Sequence, residues 1–244
     1  MAISKRRERE KAERRKDIID AAEKLFFSNN YDNVSMNDIA EDVELSKATL
    51  YLYFDSKESL FFVIVLRGVK ILNSMVHAAV DNVSTGIEKI MAYLTAYHEF
   101  MVDYPDYLRI YNYFHSGRFN LREIINKQYL NDFVEQVGYS TVAPGAFPVS
   151  SDISQGMHSE FATEIIQRSQ KLFEILKLSI EIGIADESIR SDVNSVEAAA
   201  LLTLFIDSMI KIRPDILKSL EFYGINQSKF NEDSEEFIKR MLTN

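Results

Sequence analysis

The sequence has no cysteine and few prolines, and both scarcities narrow what the protein can be. None of its 244 residues is Cys, which excludes a disulfide framework, a thiolate metal site and a thiol nucleophile. Prolines occur at four positions, Pro105, Pro144, Pro148 and Pro214, so long stretches carry no helix breaker. No stretch reaches the uninterrupted apolar length of a membrane helix, and the N-terminus is charged. We therefore expect a soluble, cytoplasmic protein without membrane association.

Motifs of enzymatic chemistry are missing as well. His98-Glu99 begins like a zinc-protease helix, but Val102 occupies the position of the second ligand. The sequence has no Gly-rich phosphate loop, and no serine lies in the context of a nucleophile elbow. We therefore predict no catalytic residues, no metal site and no cofactor, and do not expect an enzyme.

The charge is unevenly distributed along the chain. The net charge of −9 argues at first against a polyanionic partner. Residues 1–16, however, hold eight basic side chains against three acidic ones, a balance of +5, whereas residues 17–60 have a balance of −7. The basic N-terminal arm, residues 1–13, admits two interpretations: a solvated tail, or a segment that contacts phosphates or a minor groove.

Two short segments, beginning at Ser35 and Ser46, have the pattern of a helix-turn-helix. Each opens on a serine whose side-chain oxygen can accept a hydrogen bond from the first helical turn, and Asp38 gives the first segment the pattern of a capping box. Apolar residues follow each serine at helical spacing, and only Glu44-Leu45 separates the two helices, so they must cross sharply. In that geometry the start of the second helix, residues 47–49, can meet base edges in a major groove.

The positions around this motif resemble a known family over residues 14–66. They run in register as Ile19, Ala21, Ala22, Leu25, Phe26, Tyr31, Ser35, Met36, Ile39, Ala40, 45–51, Tyr53, Phe54, Ser56, Lys57, Glu58 and Leu60. In this register the chain closely resembles the TetR family of transcriptional regulators. One departure is Glu44, where the family usually carries a small residue, often glycine, which takes a left-handed turn conformation more easily.

The pattern and the resemblance together give a set of candidate DNA contacts. Lys47, Ala48 and Thr49 are expected at base edges or phosphates, and the resemblance assigns the hydroxyls of Tyr51 and Tyr53 to phosphates. Ser35 and Lys57 begin helices, where backbone amides favour a phosphate. Ser35 can equally be a plain helix cap. The complete set is Ser35, Ser46, Lys47, Ala48, Thr49, Tyr51, Tyr53 and Lys57.

Helical periodicity without strand-like alternation predicts an all-α protein. We expect an N-terminal three-helix head, residues 14–66, joined by a long helix over 57–80 to a helical effector-binding and dimerisation domain, residues 67–244. A loop rich in Gly, Pro and Ser is predicted at 138–156. The predicted helices cover 17–28, the two helices of the motif (35–54), 57–80, 84–104, 106–115, 120–137, 153–184, 194–213, 214–223 and 228–241.

An aromatic series at helical spacing dominates residues 93–114. Core packing is the plain interpretation of such a series, but buried tyrosine hydroxyls need partners, and aromatic walls with a few hydroxyls suit a flat apolar ligand. The resemblance places an effector pocket in the matching helices. Arg109 and His115, close by in sequence, are candidates for an anionic head group, with surface salt bridges as the alternative. The candidate ligand residues are Tyr93, Tyr97, Phe100, Tyr104, Tyr107, Tyr111, Phe114, Arg109 and His115.

Two apolar segments, Phe161–Ile184 and Val196–Ile212, are candidates for a four-helix self-association surface, with burial inside one subunit as the alternative. With the resemblance, the sequence predicts a homodimeric repressor that binds a palindromic operator in double-stranded DNA and is released by a small hydrophobic or aromatic effector. The alternative is a small-molecule-sensing helical module whose head docks a protein partner.

Overall fold

The computed structural model describes residues 2–119, 121, 157–210 and 212–243. All secondary-structure elements assigned in these ranges are helical, and none is a strand. This confirms the all-α class. A short 3-10 turn, Tyr31–Asn33, lies between the first two helices. In chain order the helices are α1 Ala2–Ser28, α2 Met36–Asp42, α3 Lys47–Tyr51, α4 Lys57–Asp81, α5 Gly86–Asp103, α6 Pro105–Phe114, α7 Met157–Ala185, α8 Ser195–Ile210, α9 Pro214–Phe222 and α10 Gln227–Leu242.

The predicted helices from α4 onward agree with the observed ones to within a few residues at each end. The first helix differs, because it begins at Ala2 rather than near Asp17 and so includes the whole basic arm. Lys, Arg and Glu are good helix formers, and an Arg6–Glu10 pair one turn apart supports the extension. The helix expected at 120–137 and the loop expected at 138–156 lie outside the described residues, Leu121 excepted.

The chain divides into two compact units, each with its own internal contacts. The head unit comprises residues 1–69 and 106–167, and the body unit comprises residues 70–105 and 168–244. Helices α4 and α7 contribute residues to both. The division differs from the one expected from the sequence, since α6 and the first residues of α7 (157–167) group with the head and not with the body.

The head unit is built around an aromatic cluster. Phe61 of α4 lies with its ring centroid 4.7 to 5.6 Å from those of Phe26, Tyr31, Tyr113 and Phe119. Aliphatic side chains of the first three helices complete this core, and Leu50 and Phe54 are fully buried in it as predicted. These contacts fix α2 and α3 on α1 and on the start of α4.

The body unit contains a very close helix contact. The start of α5 meets the end of α7 at Gly86 and Gly183, where no side chain fits between the backbones. The Gly86 N–H donates to the Asp186 carboxylate (2.8 Å), and the Ile87 N–H donates to the Ser188 hydroxyl (3.1 Å). Because the first N–H groups of a helix have no partner within it, these bonds anchor the start of α5.

One helix in the described part of the chain, Lys57–Asp81, is long and apolar enough to cross a membrane by composition alone. Two thirds of its apolar window (67%) is buried inside the protein, as for a core helix.

Candidate nucleic-acid interface

Helix α2 begins with a complete capping box. The Asp38 N–H donates to Ser35 Oγ (3.3 Å), and the Ser35 N–H donates to Asp38 Oδ2 (2.8 Å). These hydrogen bonds to Ser35 lower the pKa of the Asp38 carboxyl. Ser35 is exposed and serves as the helix cap, so its side-chain oxygen is already engaged in the free protein.

The turn between α2 and α3 requires a left-handed residue, and Glu44 occupies that position with φ 53°. The Glu44 N–H donates to the Glu41 carbonyl (3.1 Å) and the Leu45 N–H to the Ala40 carbonyl (2.8 Å). This pair of bonds is a Schellman motif, which usually carries glycine at the left-handed position. The departure noted in the sequence is therefore accommodated with some backbone strain, and the turn forms.

Helix α3 is short and is held at both ends. Ser46 caps it, accepting from the Thr49 N–H (3.1 Å) and sharing a 2.8 Å hydroxyl–hydroxyl bond with Thr49, while Leu50 anchors it in the core. Lys47 and Ala48 are exposed on the opposite side. The helix therefore offers its first turn to a partner without exposing its apolar anchor.

The end of α3 exposes one residue that the sequence did not single out. Leu52, which follows Tyr51, is 78% exposed, and Tyr51 is 44% exposed. Tyr53 is half-buried and packs against the head core, so these neighbouring positions differ in what they can reach. The sequence did contain a signal for this exposed position. Leu50 and Phe54 already account for the core face of the helix, so the leucine between Tyr51 and Tyr53 is left for the surface.

Lys57 has a structural position at the start of α4. Its Nζ donates to the carbonyl oxygens of Tyr31 and Val34 (both 3.0 Å) and lies 4.0 Å from the centroid of the Tyr31 ring. The Tyr31 hydroxyl in turn donates to Glu58 (2.8 Å). The Lys57 ammonium thus ties the 3-10 turn to α4 and is engaged within the head unit.

The basic arm forms the exposed first half of α1. Seven of the eight cations in residues 1–16 are exposed, and the guanidinium of the eighth, Arg15, lies 4.6 Å from the centroid of the buried Phe54 ring. Burial lowers the pKa of Arg15. Arg15 therefore packs this part of α1 onto the head, and the other cations lie along the exposed surface of the helix. The exposed seven are Lys5, Arg6, Arg7, Arg9, Lys11, Arg14 and Lys16.

The predicted ligand series is divided between the two units. Tyr93, Tyr97 and Phe100 are buried in α5 of the body unit and Tyr104 follows them, stacked on Phe100 with 5.5 Å between centroids. The remaining three, Tyr107, Tyr111 and Phe114, belong to α6 and pack in or against the head core.

The side chains that follow Pro105 have partners within the head unit. The Tyr107 hydroxyl donates to Glu23 (2.7 Å), which also receives a hydrogen bond from Arg67 (2.9 Å). Arg109 donates to the carbonyl oxygens of Phe26 and Phe27 at the end of α1 (3.1 and 2.8 Å) and to Asp106. The His115 ring lies against Tyr111, 4.6 Å between centroids. Arg109 thus caps a helix C-terminus, where a cation is favourable.

The two segments predicted to self-associate expose apolar side chains. The Ser195 hydroxyl, at the start of α8, donates to Glu181 of α7 (3.1 Å) and ties the two helices together. In the body unit, the exposed large apolar residues on these helices are Leu178, Ile182, Val196, Leu201 and Leu204.

Two serine-capped helices held at a fixed angle, with the first turn of the second exposed, define a helix-turn-helix protein of the DNA-binding type. Residues 18–64 match the family model described as bacterial regulatory proteins, tetR family. This segment therefore resembles the DNA-binding region of that family, and the relatives that match it are named as HTH-type transcriptional regulators.

Similar proteins agree with this assignment. IcaR of Staphylococcus aureus, the biofilm operon icaADBC HTH-type negative transcriptional regulator, is 34% identical over 95 residues, 38% of this chain and 50% of IcaR. An uncharacterised HTH-type transcriptional regulator of Mycobacterium tuberculosis is 34% identical over 88 residues, 36% of this chain and 44% of the relative. The chain thus spans about half the length of the curated relatives it matches.

Solved structures resemble the whole fold. A tetR-family regulatory protein from Rhodococcus RHA1 matches with a TM-score of 0.59 at 17% identity, covering 94% of this chain and 97% of that one. AibR, solved in complex with isovaleryl coenzyme A and operator DNA, matches with a TM-score of 0.57 at 16% identity, covering 92% and 97%. At these identities the likeness shows the fold alone.

Proposed function

We propose that this protein is a cytoplasmic transcriptional regulator, a repressor that binds a palindromic operator as a homodimer. The observation that carries the proposal is the exposed first turn of α3, held rigidly by the Ser46 cap and the buried Leu50. A helix presented in this way enters a major groove with its first residues at base edges. The negative regulation named for IcaR supports repression.

The candidate contacts divide into base-directed and phosphate-directed groups. Lys47, Ala48 and Thr49 lie at the start of α3 and are assigned to bases, while the exposed Leu52 suits the methyl group of a thymine. The tyrosine hydroxyls and the helix-start amides are assigned to phosphates. The phosphate-directed group comprises Ser35, Ser46, Tyr51, Tyr53 and the backbone N–H of Lys57.

The exposed apolar residues of α7 and α8 support the proposed homodimer. Leu204 is 63% and Leu201 67% exposed, and two helices from each of two copies form a four-helix interface. A two-fold dimer demands a palindromic site, with half-sites about 34–36 Å apart, one helical turn of DNA.

Release by a small effector completes the proposed function. Helix α4 contributes to both units, so a ligand that shifts α4 would change how the head meets the operator. A ligand releases DNA only by its affinity difference between the two states. The complex of AibR with isovaleryl coenzyme A and operator DNA shows a protein of the same fold with both partners.

The decisive experiment is a selection of genomic DNA fragments on the purified protein, followed by gel-shift titration of the enriched sequence. We expect the fragments to converge on an inverted repeat. Lys47→Ala and Tyr51→Phe should each weaken binding by about 1–3 kcal/mol without unfolding the protein. Lys218→Ala, which removes an exposed lysine from α9 of the body unit, is the matched control and should bind as the wild type does. Wild-type affinity in Lys47→Ala would contradict the assignment.

A further inference from the structure

The body unit contains a small cavity between α5, α8 and α10. Its volume is about 40 Å³, enough for a water molecule but too small for a phenyl ring in this conformation. Its walls are mainly apolar and include the aromatic rings of Tyr97 and Phe205 and the thioethers of Met101 and Met209. Of the predicted ligand series, Tyr97 lines this cavity, whereas the α6 members pack in or against the head core.

One wall of the cavity carries a carboxylate. Glu235 of α10 lines it together with His98 of α5, and the residue is half-buried. In the described part of the chain, no hydrogen bond or salt bridge reaches the Glu235 carboxylate, whereas the neighbouring Asp233 and Glu236 are paired with Lys229 and Arg240. Burial raises the pKa of Glu235, and the charge of His98 opposes that shift. A half-buried carboxylate without a bonded cation favours a positively charged guest.

We propose that this cavity is the effector site and that the effector is a small amphipathic cation, an apolar or aromatic group that carries a protonated amine. The inference rests on the proposed function, whose ligand class it specifies. Glu235 neutralises the amine, and the aromatic and thioether walls accept both the hydrocarbon and the adjacent charge.

The residues that the sequence analysis assigned to an anionic head group of the ligand are not available for it in the structure. Of the two residues assigned to that group, Arg109 is bonded to Asp106 and to backbone carbonyls of α1 within the head unit, and burial lowers the pKa of His115 to about 4, so its ring is neutral at pH 7. The charge expected on the ligand therefore changes from negative, held by an arginine, to positive, held by a glutamate.

The cavity must enlarge to admit such a ligand. Met101 and Met209 are both half-buried, and a methionine side chain has three rotatable bonds that let it vacate space at low cost. Binding should therefore be visible directly at these two methyl groups.

The test is a titration of protein labelled with ¹³C at its methionine methyl groups, carried out without DNA. The probes are 4-phenylbutylamine, 4-phenylbutanol and 4-phenylbutanoate, which share the hydrocarbon and differ in charge. We expect the amine to shift the Met101 and Met209 methyl signals saturably, and to bind at least tenfold more tightly than the alcohol or the carboxylate. Met101→Leu and Met209→Leu assign the two signals.

Glu235→Gln should weaken binding of the amine at least tenfold and leave binding of the alcohol unchanged. Glu236→Gln, which removes the same charge from the exposed neighbouring position, should change neither. Equal affinities for all three probes, or an unchanged amine affinity in Glu235→Gln, would overturn the ligand class. Absence of shifts at both methyl groups would overturn the site.

The effector role has a separate measurement. At saturating amine, operator affinity should fall at least tenfold for the wild type and remain unchanged for Glu235→Gln. Saturable methyl shifts without any change in operator affinity would overturn the effector assignment. If no operator is found at all, the proposed regulator fails, and the methyl titration still decides whether the cavity takes a cation.

Discussion

The two units use their aromatic and polar side chains in opposite ways. In the head unit, phenolic hydroxyls donate hydrogen bonds to carboxylates of the same unit: Tyr31 to Glu58, Tyr107 to Glu23 and Tyr113 to Asp32. In the body unit, the Glu235 carboxylate faces a cavity without a bonded partner, and large apolar residues of α7 and α8 are exposed. These three hydroxyls of the head are thus paired within their own unit, whereas the body has a half-buried carboxylate and large apolar side chains that are not covered in the same way.

This difference shows what an aromatic series can indicate. The number of tyrosines between residues 93 and 114 correctly implied hydroxyls that need partners. For Tyr107 and Tyr113 the partners are the protein's own carboxylates and not a ligand. A binding site is better indicated by polar atoms that the fold leaves unpaired than by aromatic density.

The largest expected effect contrasts a core ring with an exposed one. Phe61 is fully buried at the centre of the aromatic cluster, so Phe61→Ala should lower the free energy of unfolding by about 3–5 kcal/mol. Phe222 of α9 is 83% exposed, and Phe222→Ala should change it by less than about 0.5 kcal/mol. Urea unfolding followed by circular dichroism measures both, and similar losses would break the contrast between the units.

A second contrast concerns glycines at close helix contacts. A Cβ at Gly86 would overlap backbone atoms of Gly183 in the body unit, whereas at Gly68 it would lie 2.6 to 2.9 Å from side-chain atoms of Tyr107 in the head unit. Backbone yields less than a side chain, so Gly86→Ala should cost about 3 kcal/mol and Gly68→Ala about 1–2 kcal/mol.

The glycine contrast is checked by thermal unfolding of both variants and of Gly68→Ala combined with Tyr107→Ala. The double variant should recover part of the strain introduced at Gly68, because the ring that Cβ meets is gone. A Gly86→Ala variant as stable as the wild type would show that α5 moves away from α7 at little cost.

Within the head unit, two lysines should separate stability from DNA affinity. Lys57→Met removes the ammonium that bonds two carbonyls and should destabilise the fold by about 1–2 kcal/mol, with little change in operator affinity. Lys47→Met should leave stability within about 0.5 kcal/mol and weaken operator binding by about 1–3 kcal/mol. Unfolding and gel-shift titrations on each variant measure stability and operator affinity separately. A Lys57→Met variant that is stable but binds the operator more weakly would show that the Lys57 side chain contacts a phosphate.

Local signals in the sequence sufficed for much of the fold and of the interface scaffold. The serines at 35 and 46 cap the two helices of the motif, and Leu50 and Phe54 form its core. The left-handed turn at Glu44 was also foreseeable, because its spacing left a turn that glycine usually fills. These features depend on neighbours within a few residues, which a sequence displays directly.

Features that depend on distant partners were not predictable. Nothing near Lys57 in the sequence shows that its ammonium meets the carbonyls of Tyr31 and Val34, more than twenty residues away. The contacts of Arg109 with the end of α1 span more than eighty residues. The assignment of α6 to the head unit, and the cavity formed by α5, α8 and α10, arise from packing at this range.

The smallest expected effect compares one Schellman turn in each unit. Glu44 in the head unit and Gly224 in the body unit have the same pair of backbone bonds, with φ of 53° and 77°. A side chain in this conformation costs about 1 kcal/mol relative to glycine. Glu44→Gly should therefore stabilise the protein by about 0.5–1 kcal/mol, and Gly224→Glu should destabilise it by a similar amount, both measured by urea unfolding. Because Glu44 is exposed and its Cβ alone carries the strain, Glu44→Ala should leave stability nearly unchanged. A gain from Glu44→Ala equal to that from Glu44→Gly would assign the effect to the acidic charge beside Asp42 and not to the backbone.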